Sequence, residues 1–329
     1  MTLSKRVRNI LTYVVFLGIG LALLWLVYRK VNFEEMMVLM SETKPWAIII
    51  SAFMGYLAIV SRGLRWISAI EPLGYKPRVW GSIHTVAFAY FANTFIPRSG
   101  EIARCAALNQ TDDIPADKLF GTVVTERVID FVMFFIFIAV AMIGNSGQFM
   151  KFMENASMSD GTINLIKIGL GAMAVGVIGL ILLRKQIAKL SIYKKIEPIL
   201  KGILDGLKSV FAMKRKWGFL LHTLFIWLMY YGMAWIFFKG IPGLEEISIM
   251  SILIIMIAGG LGMIFPAPGG TGSYQYAVVT AFTALGIGNQ LGEFYAGIVW
   301  FTQTGMIVLS GAIGYIWITR QKIRKSKAS

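Results

Sequence analysis

The chain has 329 residues, of which 57% are hydrophobic, and its mean hydropathy is +0.68. Apolar stretches near the roughly 20 residues that a helix needs to cross a bilayer recur along its whole length, which excludes an ordinary soluble domain. The net charge of +15 would suggest a nucleic-acid partner in a soluble protein. Here the basic residues stand in blocks between apolar runs and form no aromatic-interleaved face. We therefore expect an all-α polytopic membrane protein with no nucleic-acid partner.

Eight hydrophobic regions follow one another along the chain, six of them long enough to be full transmembrane helices. The six are residues 10–28, 45–61, 119–143, 163–183, 217–238 and 294–318. Two further regions are interrupted, 80–111 at Pro97 and 247–287 around Pro266 to Gly272. The first run follows a basic N-terminus, but it is too long for a signal peptide and lacks a small-residue cleavage site, so we interpret it as a retained anchor.

The placement of lysine and arginine predicts the orientation in the membrane. The loop 184–216 carries ten basic residues against Glu197 and Asp205, and the tail 320–329 carries five and no acid. The segments on the other side are slightly acidic, namely 144–162, 239–246 and 288–293. This bias predicts a multi-pass protein of the cytoplasmic (inner) membrane with both termini in the cytoplasm.

The basic loop also shows helical periodicity. Between Ile196 and Phe211, apolar residues recur at i, i+3, i+4 and i+7 with lysines on the other face. Pro198 suits the first turn of a helix. We therefore expect an amphipathic helix that lies on the cytoplasmic leaflet and links the two halves of the chain.

The two interrupted regions predict re-entrant helical hairpins of opposite orientation. Region 80–111 begins and ends on the cytoplasmic side, and its second arm is too short to span. Region 247–287 begins and ends on the outer side of the membrane, so it forms either a hairpin or two thin spans. With hairpins in both places, residues 45–143 and 217–318 form an inverted repeat within one transmembrane domain, 1–329. Paired Gly/Pro-interrupted segments are typical of a transporter site at the repeat interface; the alternative is that Pro and Gly merely kink ordinary spans.

Charged residues in apolar segments are candidate binding residues, because each needs a partner or a wet cavity. The motif "TERVIDF" contains Glu126, Arg127 and Asp130. The i, i+4 spacing places Glu126 and Asp130 on one face, and Arg127 is within reach of Asp130. These residues either tie helices together or line a substrate cavity. Arg62 and Arg65 stand at the end of the second span, where they satisfy the positive-inside rule or bind lipid phosphate.

The two hairpin turns supply the remaining candidates. The first turn is charged and contains Asn93, Pro97, Arg98, Ser99, Gly100, Glu101 and Arg104. Its exposed backbone N–H groups and helix N-terminus favour anions. The second turn carries no charge and contains Pro268, Gly269, Gly270, Gly272, Ser273 and Gln275. Its glycines permit positive φ angles and close backbone approach, but the Lys-Ser/Thr of a P-loop is missing.

Catalytic signals are weak. The two histidines, His84 and His222, are far apart in sequence, and the single cysteine, Cys105, permits no intrachain disulfide. No recognised catalytic or metal-binding motif appears, so we expect no catalytic residue, metal or cofactor. A membrane enzyme that uses the Glu126/Asp130 pair on a lipid-linked substrate stays open as an alternative, as does a non-transporting partner subunit.

Four motifs together resemble the lysylphosphatidylglycerol synthase transmembrane-domain family of flippase-like inner-membrane proteins. They are "RGLRW", "FIPRSGEIARCAAL", "TERVIDF" and "PAPGGTGSYQY", in this order along nearly the whole chain. The resemblance implies movement of a polar-headed lipid between leaflets. Its motifs correspond to Arg62 and Arg65, to Pro97, Gly100, Glu101 and Arg104, to Glu126, Arg127 and Asp130, and to Pro268, Gly269, Gly270 and Gly272. Family members often have an acid after the last motif, where this chain has Gln275, and we expect no synthase activity because no aminoacyltransferase domain follows.

The sequence therefore predicts a flippase or scramblase-like transporter of a phospholipid or glycolipid. Its expected partners are membrane lipids, with a phosphate held by Arg62, Arg65, Arg98 and Arg104. Glu101, Glu126 and Asp130 would balance those charges or bind a cationic headgroup. A small-residue pattern at Ser310 and Gly314 in the last span leaves a homodimer open.

Overall fold

The computed structural model describes residues 5–29, 31–155, 210 and 213–327, and this part of the chain is all α-helical, without a β-strand. Before the gap lie α1 (Lys5–Tyr28), α2 (Phe33–Glu42), α3 (Pro45–Ile70), α4 (Val79–Phe95), α5 (Gly100–Asp112), α6 (Ala116–Gly144) and α7 (Ser146–Asn155). After it come α8 (Lys216–Gly240), α9 (Ile249–Ile264), α10 (Ser273–Ala284) and α11 (Asn289–Ser326). The short helices α2 and α7 lie in segments for which the sequence predicts loops.

Among the described residues, four helices are long and apolar enough to cross a membrane: α3 with its 3-10 extension, α6, α8 and α11. A fifth span results if α1 and α2 form one unit across the 84° bend between them. The prediction of an all-helical membrane protein is confirmed. The predicted span 163–183 and most of the predicted linker helix, 184–209, lie outside the described residues.

Helix α3 is longer than the sequence predicts. It continues to Ile70 instead of ending at residue 61, so that Arg62 and Arg65 are inside the helix and not beyond its end. Both arginines are buried. Arginine is a good helix former, and both side chains find charged partners within the protein, which accounts for their burial.

Each of the two interrupted regions forms a pair of short helices packed on each other, α4 with α5 and α9 with α10. The four helices have 17, 13, 16 and 12 residues, below the roughly 20 that a span needs. In the first pair the arms touch closely at Gly100, where a Cβ atom would lie 2.3 Å from the backbone oxygen of Ala89. In the second pair the turn is made by Gly269, Gly270 and Gly272, all with positive φ.

The turns of the two helix pairs meet. A Cβ atom on Gly269 would be 3.5 Å from Cγ2 of Thr94 in the last turn of α4, and Trp300 of α11 donates a hydrogen bond of 2.9 Å to the Gly269 oxygen. On its other side the second turn is covered by α1, because a Cβ atom on Gly272 would be 1.9 Å from the backbone oxygen of Gly20. The second turn is therefore held inside the bundle, whereas the first turn meets it at Thr94 and leaves Phe95, Ile96 and Arg98 exposed.

Two apolar clusters divide the described core. One is centred on the second half of the chain, includes Phe238, Phe282 and Tyr295, and also takes in residues of α6 and α7. The other is centred on the first half and includes Trp66 and Leu108. Between the halves, α3 packs on α8, α4 on α11 and α6 on α9. The small-residue pattern of α11 serves this packing, because a Cβ atom on Gly314 would lie 2.6 Å from the His84 oxygen of α4.

Candidate functional site

Five charged side chains from three helices meet in the interior, and we call them the charge cluster: Arg62 and Arg65 of α3, Arg104 of α5, and Glu126 and Asp130 of α6. The spacings of three residues on α3 and four on α6 place each pair on one helix face. All five are candidates from the sequence, and the structure brings them together from segments separated by up to 68 positions along the chain.

Glu126 is the buried centre of the charge cluster. Its Oε1 accepts a hydrogen bond of 3.2 Å from Arg65 Nε, and its Oε2 accepts one of 2.6 Å from Arg104 Nη2. The Glu126 side chain is fully buried, and the two arginines are 0% and 3% exposed. One carboxylate therefore holds two guanidinium groups in place and connects α3, α5 and α6.

Asp130 holds the other side. Its Oδ1 accepts a hydrogen bond of 2.6 Å from Arg65 Nη1, while Oδ2 accepts bonds of 3.1 Å from Arg65 Nη2 and 2.9 Å from Arg62 Nη1. The pairing with Arg65 is bidentate, which fixes orientation as well as charge. The side chain of Asp130 is 12% exposed, more than that of any other member, so the charge cluster opens at this end.

Aromatic and hydroxyl side chains that the sequence analysis missed form the walls of the charge cluster. The Arg104 guanidinium lies 4.4 Å above the Trp66 ring, and that of Arg65 lies 5.3 Å from the Phe219 ring. Arg65 Nη1 also donates to Thr223 Oγ1 at 3.2 Å. Rings over guanidinium groups replace part of the lost hydration. No local pattern distinguishes these residues from ordinary core residues, so only the packing of α3 against α5 and α8 identifies them.

The open edge is lined by tyrosines. Arg62 Nη2 donates to the Tyr230 hydroxyl at 3.1 Å, and the Tyr90 and Tyr230 hydroxyls are 3.3 Å apart. Two buried N–H donors here, Arg62 Nε and Trp227 Nε1, have no partner among the described residues. Since leaving a buried donor unpaired costs about 1–3 kcal/mol, both atoms suit a further hydrogen-bond acceptor.

The charges of the cluster do not balance. Three guanidinium groups face two carboxylates, which leaves one positive charge within the group. Burying ions in a low-dielectric interior costs several kcal/mol each even when they are paired, and ionisable residues in membrane helices mark functional pathways. The excess positive charge and the unpaired donor of Arg62 together suit an anionic group.

Three predicted charged residues stay outside the charge cluster. Arg127, expected near Asp130, instead pairs with Glu101 on a more exposed face, where the side chains are 49% and 24% exposed. The reason is helical geometry, because the position after Glu126 points about 100° away from it. Arg98 is exposed at the first turn with a φ of 61°.

The remaining candidates make local contacts within the two turns. In the first, Asn93 Oδ1 accepts the Gly100 N–H at 2.7 Å, and the Ser99 hydroxyl donates to the Ile96 oxygen at 2.7 Å, next to Pro97. In the second turn, Gln275 Oε1 accepts the Gly272 N–H at 2.8 Å and the Ser273 hydroxyl donates to the Gly270 oxygen at 3.2 Å. Pro268 and Gly269 form the 3-10 turn before them. Throughout the described ranges, no three His, Cys, Asp or Glu side chains group in a way that would hold a metal ion.

Comparison with known proteins gives two matches. The family model described as lysylphosphatidylglycerol synthase TM region matches residues 10–311, a stretch that contains the charge cluster and both hairpin turns. The UPF0104 membrane protein MJ1595 of Methanocaldococcus jannaschii is 22% identical over 320 residues, which cover 90% of this chain and 92% of that protein.

Proposed function

The chain belongs to the lysylphosphatidylglycerol synthase transmembrane-region family, and we propose that it is a flippase or scramblase-like transporter that moves a polar-headed phospholipid or glycolipid across the cytoplasmic membrane. The observation that carries the proposal is the charge cluster, which gathers three arginines and two carboxylates inside a bundle of apolar helices. A polar headgroup needs such a hydrated or charged binding site to cross the hydrocarbon core.

The depth of the charge cluster supports this use. Asp130 follows Ala116, the first residue of the 29-residue α6, by about 14 positions, or roughly 21 Å at about 1.5 Å per residue. It therefore lies near the middle of a helix long enough to cross a membrane. A charge at that depth costs at least about 2.5 kcal/mol on insertion scales, so a purely structural tie between helices would be an expensive choice where apolar packing serves as well.

The helix order supports an inverted-repeat transporter with two re-entrant hairpins. Both α3–α4–α5–α6 and α8–α9–α10–α11 read as long, short, short, long. The packing between them is reciprocal, since α4 contacts α11, α9 contacts α6, and α3 contacts α8. In the proposed topology the basic termini face the cytoplasm and the two turns meet at Thr94 and Gly269, near the midplane.

In this transporter the carboxylates keep the arginines in position. The headgroup binds to the arginines and leaves them at the open edge. A lipid phosphate accepts hydrogen bonds from a planar guanidinium group in the same way as Asp130 accepts them from Arg65. Arg62 is the first residue to engage, because its Nε lacks a partner among the described residues and its Nη2 is held only by the Tyr230 hydroxyl on that side. Rocking of one repeat against the other would then carry the headgroup between the two faces.

A transporter accounts for the charge cluster better than an enzyme does. Both oxygens of Glu126 and both of Asp130 accept hydrogen bonds from arginines, which stabilises the ionised carboxylates and opposes their use as proton donors. The fixed positive charges suit binding of an anion in either leaflet. A non-enzymatic role is therefore part of the proposal.

The test is headgroup translocation in proteoliposomes. Vesicles would contain a trace of fluorescent phosphatidylglycerol, phosphatidylethanolamine or a glycolipid, and extraction of the outer leaflet would report exchange. We expect transport of at least one of these lipids above the rate in empty vesicles. Tyr230→Phe, which removes only the hydroxyl that holds Arg62, should lower the rate several-fold while the protein stays folded.

Two outcomes would overturn the proposal. One is the absence of transport of all three lipids by protein whose melting transition shows that it is folded. The other is the formation of a modified lipid by the purified protein that stops with Glu126→Gln, which would indicate the membrane enzyme. The control for general effects of the substitution is Tyr56→Phe on α3, which removes a tyrosine hydroxyl that has no hydrogen bond with the described residues.

A further inference from the structure

A second polar site lies outside the charge cluster, where the ends of α3, α4 and α8 meet. It is a cleft of about 450 Å³, which we call the surface cleft, and its polar lining is Ser68, Glu71, Lys76, Arg215 and His222. We propose that the surface cleft is a docking site for the phosphate of a membrane lipid, occupied before the headgroup reaches the charge cluster.

The described lining of the surface cleft carries one net positive charge and two side-chain donors without a partner in the described part of the chain. Among the described lining residues the one acid is Glu71, which is paired with Arg215, with 3.3 Å between Oε1 and Nη1. Lys76 and Ser68 have no side-chain hydrogen bond or ion pair with the part of the chain that the structure describes. An ammonium and a hydroxyl that lack acceptors suit the oxygens of a phosphate.

His222 adds a further polar group at the wall of the surface cleft. Its Nδ1 is 2.9 Å from the Ser61 hydroxyl, which leaves the other ring nitrogen, Nε2, without a hydrogen bond among the described residues. When Nδ1 accepts the proton of Ser61, Nε2 carries the ring hydrogen and becomes a third donor for a phosphate.

The surroundings of the surface cleft indicate a lipid and not a soluble anion. Trp80 follows the lining residue Val79 in the sequence, and Trp217 precedes the lining residue Gly218. The two tryptophans are 59% and 70% exposed. Exposed tryptophans of membrane proteins collect at the level of the lipid headgroups. Part of the wall is apolar, with Ile67 among its members. Polar donors beside apolar surface at this level fit an amphiphile that carries a phosphate.

The surface cleft borders the charge cluster. Ser61 and His222, which are hydrogen-bonded to each other, directly precede Arg62 and Thr223 in their helices, and Thr223 accepts a hydrogen bond from Arg65. Two lining residues are therefore close to the charge cluster: Ser68 is one helical turn after Arg65, and His222 directly precedes Thr223. This place in a translocation route rests on the proposed function, whereas binding in the surface cleft does not.

Binding of three soluble probes to the full chain in detergent is measured by isothermal titration calorimetry. The probes are dihexanoyl phosphatidylglycerol, glycerol 3-phosphate and dihexanoylglycerol, which separate the lipid phosphate from a free phosphate and from an acyl chain alone. We expect dihexanoyl phosphatidylglycerol to bind at least tenfold more tightly than either of the others. Lys76→Gln should weaken that binding five- to tenfold.

Lys214→Gln is the matched control, because Lys214 is exposed, loses the same charge in the variant and lies outside the lining of the surface cleft. Its binding should stay within twofold of the wild type. An equal loss in both lysine variants would overturn the proposal in favour of a diffuse surface charge. Equal binding of glycerol 3-phosphate and the short-chain lipid would overturn the lipid assignment, and so would binding that Lys76→Gln leaves unchanged in a folded protein.

The two proposals fail in different ways. If Lys76→Gln raises the lipid concentration for half-maximal transport without lowering the maximal rate, the surface cleft feeds the charge cluster as proposed. If the short-chain lipid binds with the expected Lys76 dependence but no lipid is transported, the docking site stands and the transporter proposal falls.

Discussion

The two helix pairs have the same shape and are held by different forces. The α4–α5 pair sends Arg104 to the carboxylate of Glu126 and pairs Glu101 with Arg127, so its return arm is fixed by ions. The α9–α10 pair has no charged residue in α9, its turn or α10. Its turn is fixed by glycine backbone contacts and by the amide of Gln275. One geometry is therefore compatible with a charged and with a neutral interior.

The comparison indicates a division of labour. The charged pair faces the charge cluster, which is where a ligand group of opposite sign would bind. The neutral pair buries Val278, Ala281 and Phe282 in the larger apolar cluster and is covered by α1 at Gly20. It is a scaffold against which the first pair is positioned. If this division is right, removing a charged group should lower the free energy of unfolding most in the first pair. Adding a side chain at a tightly packed glycine should lower it most in the second pair.

The largest expected effect is that of Glu126→Gln. The substitution leaves Arg65 and Arg104 buried without their shared carboxylate, and breaking a buried ion pair from one side costs about 3–5 kcal/mol. We expect the free energy of unfolding, measured by denaturant titration in detergent, to fall by about that amount. If the variant is as stable as the wild type, the ion pairs do not fix the α4–α5 pair, and the contrast between the two helix pairs is wrong.

Glu101→Gln is the control on the same hairpin. It removes an acid from the exposed pair with Arg127, and such pairs contribute about 0–1 kcal/mol. A loss of stability as large as that of Glu126→Gln would mean that any charge in the hairpin matters equally, which contradicts the special role of the buried cluster.

Gly272→Ala should have the next largest effect, in the neutral hairpin. The residue has a φ of 78°, which costs an L-amino acid roughly 1–2 kcal/mol. Its Cβ atom would also lie 1.9 Å from the Gly20 oxygen, and such overpacking costs about 1–3 kcal/mol more. We expect a loss of about 2–5 kcal/mol by the same denaturant titration.

Gly286→Ala separates the two terms of that prediction. Gly286 has a similar φ of 72°, but a Cβ atom there meets nothing within 4 Å. Its loss should be only the backbone part, about 1–2 kcal/mol. Equal losses at Gly272 and Gly286 would show that α1 yields easily and does not press on the second turn.

Much of this organisation follows from the sequence. Long apolar runs predict α3, α6, α8 and α11, because a bilayer requires about 20 apolar residues per span. Pro97 and the glycines after Pro268 predict the places of the breaks, because they disfavour a continuous helix. The i, i+4 spacing of Glu126 and Asp130 predicts their common face. These features are local and depend on few neighbours.

The partners across helices do not follow from the sequence. Arg127 and Glu126 are adjacent, yet only Glu126 meets the arginines of α3 and α5, because the rotation of α6 decides which face is buried. The contributions of Trp66 and Phe219 depend on the packing of α3 against α5 and α8.

The smallest effect concerns the outer end of the charged hairpin, at Asp112. Burial would raise the pKa of this carboxyl, but hydrogen bonds from Arg78 and Thr111 outweigh burial and hold the pKa below its usual value. A group whose pKa is lower in the folded state contributes stability above its unfolded pKa of about 3.9, and this contribution is lost as the pH falls through the folded pKa. Because Arg78 is half exposed, the contribution is about 0–1 kcal/mol.

Asp112→Asn should therefore lower the free energy of unfolding slightly at pH 7, and the difference from the wild type should shrink as the pH falls below about 4. The measurement is a pair of denaturant titrations at several pH values. The outer end of the neutral hairpin, at Ala284, has no ionisable residue, so no matching pH-dependent difference is expected from substitutions there. A difference at Asp112 that is the same at pH 3 and pH 7 would show that its size and shape matter there, and not its charge.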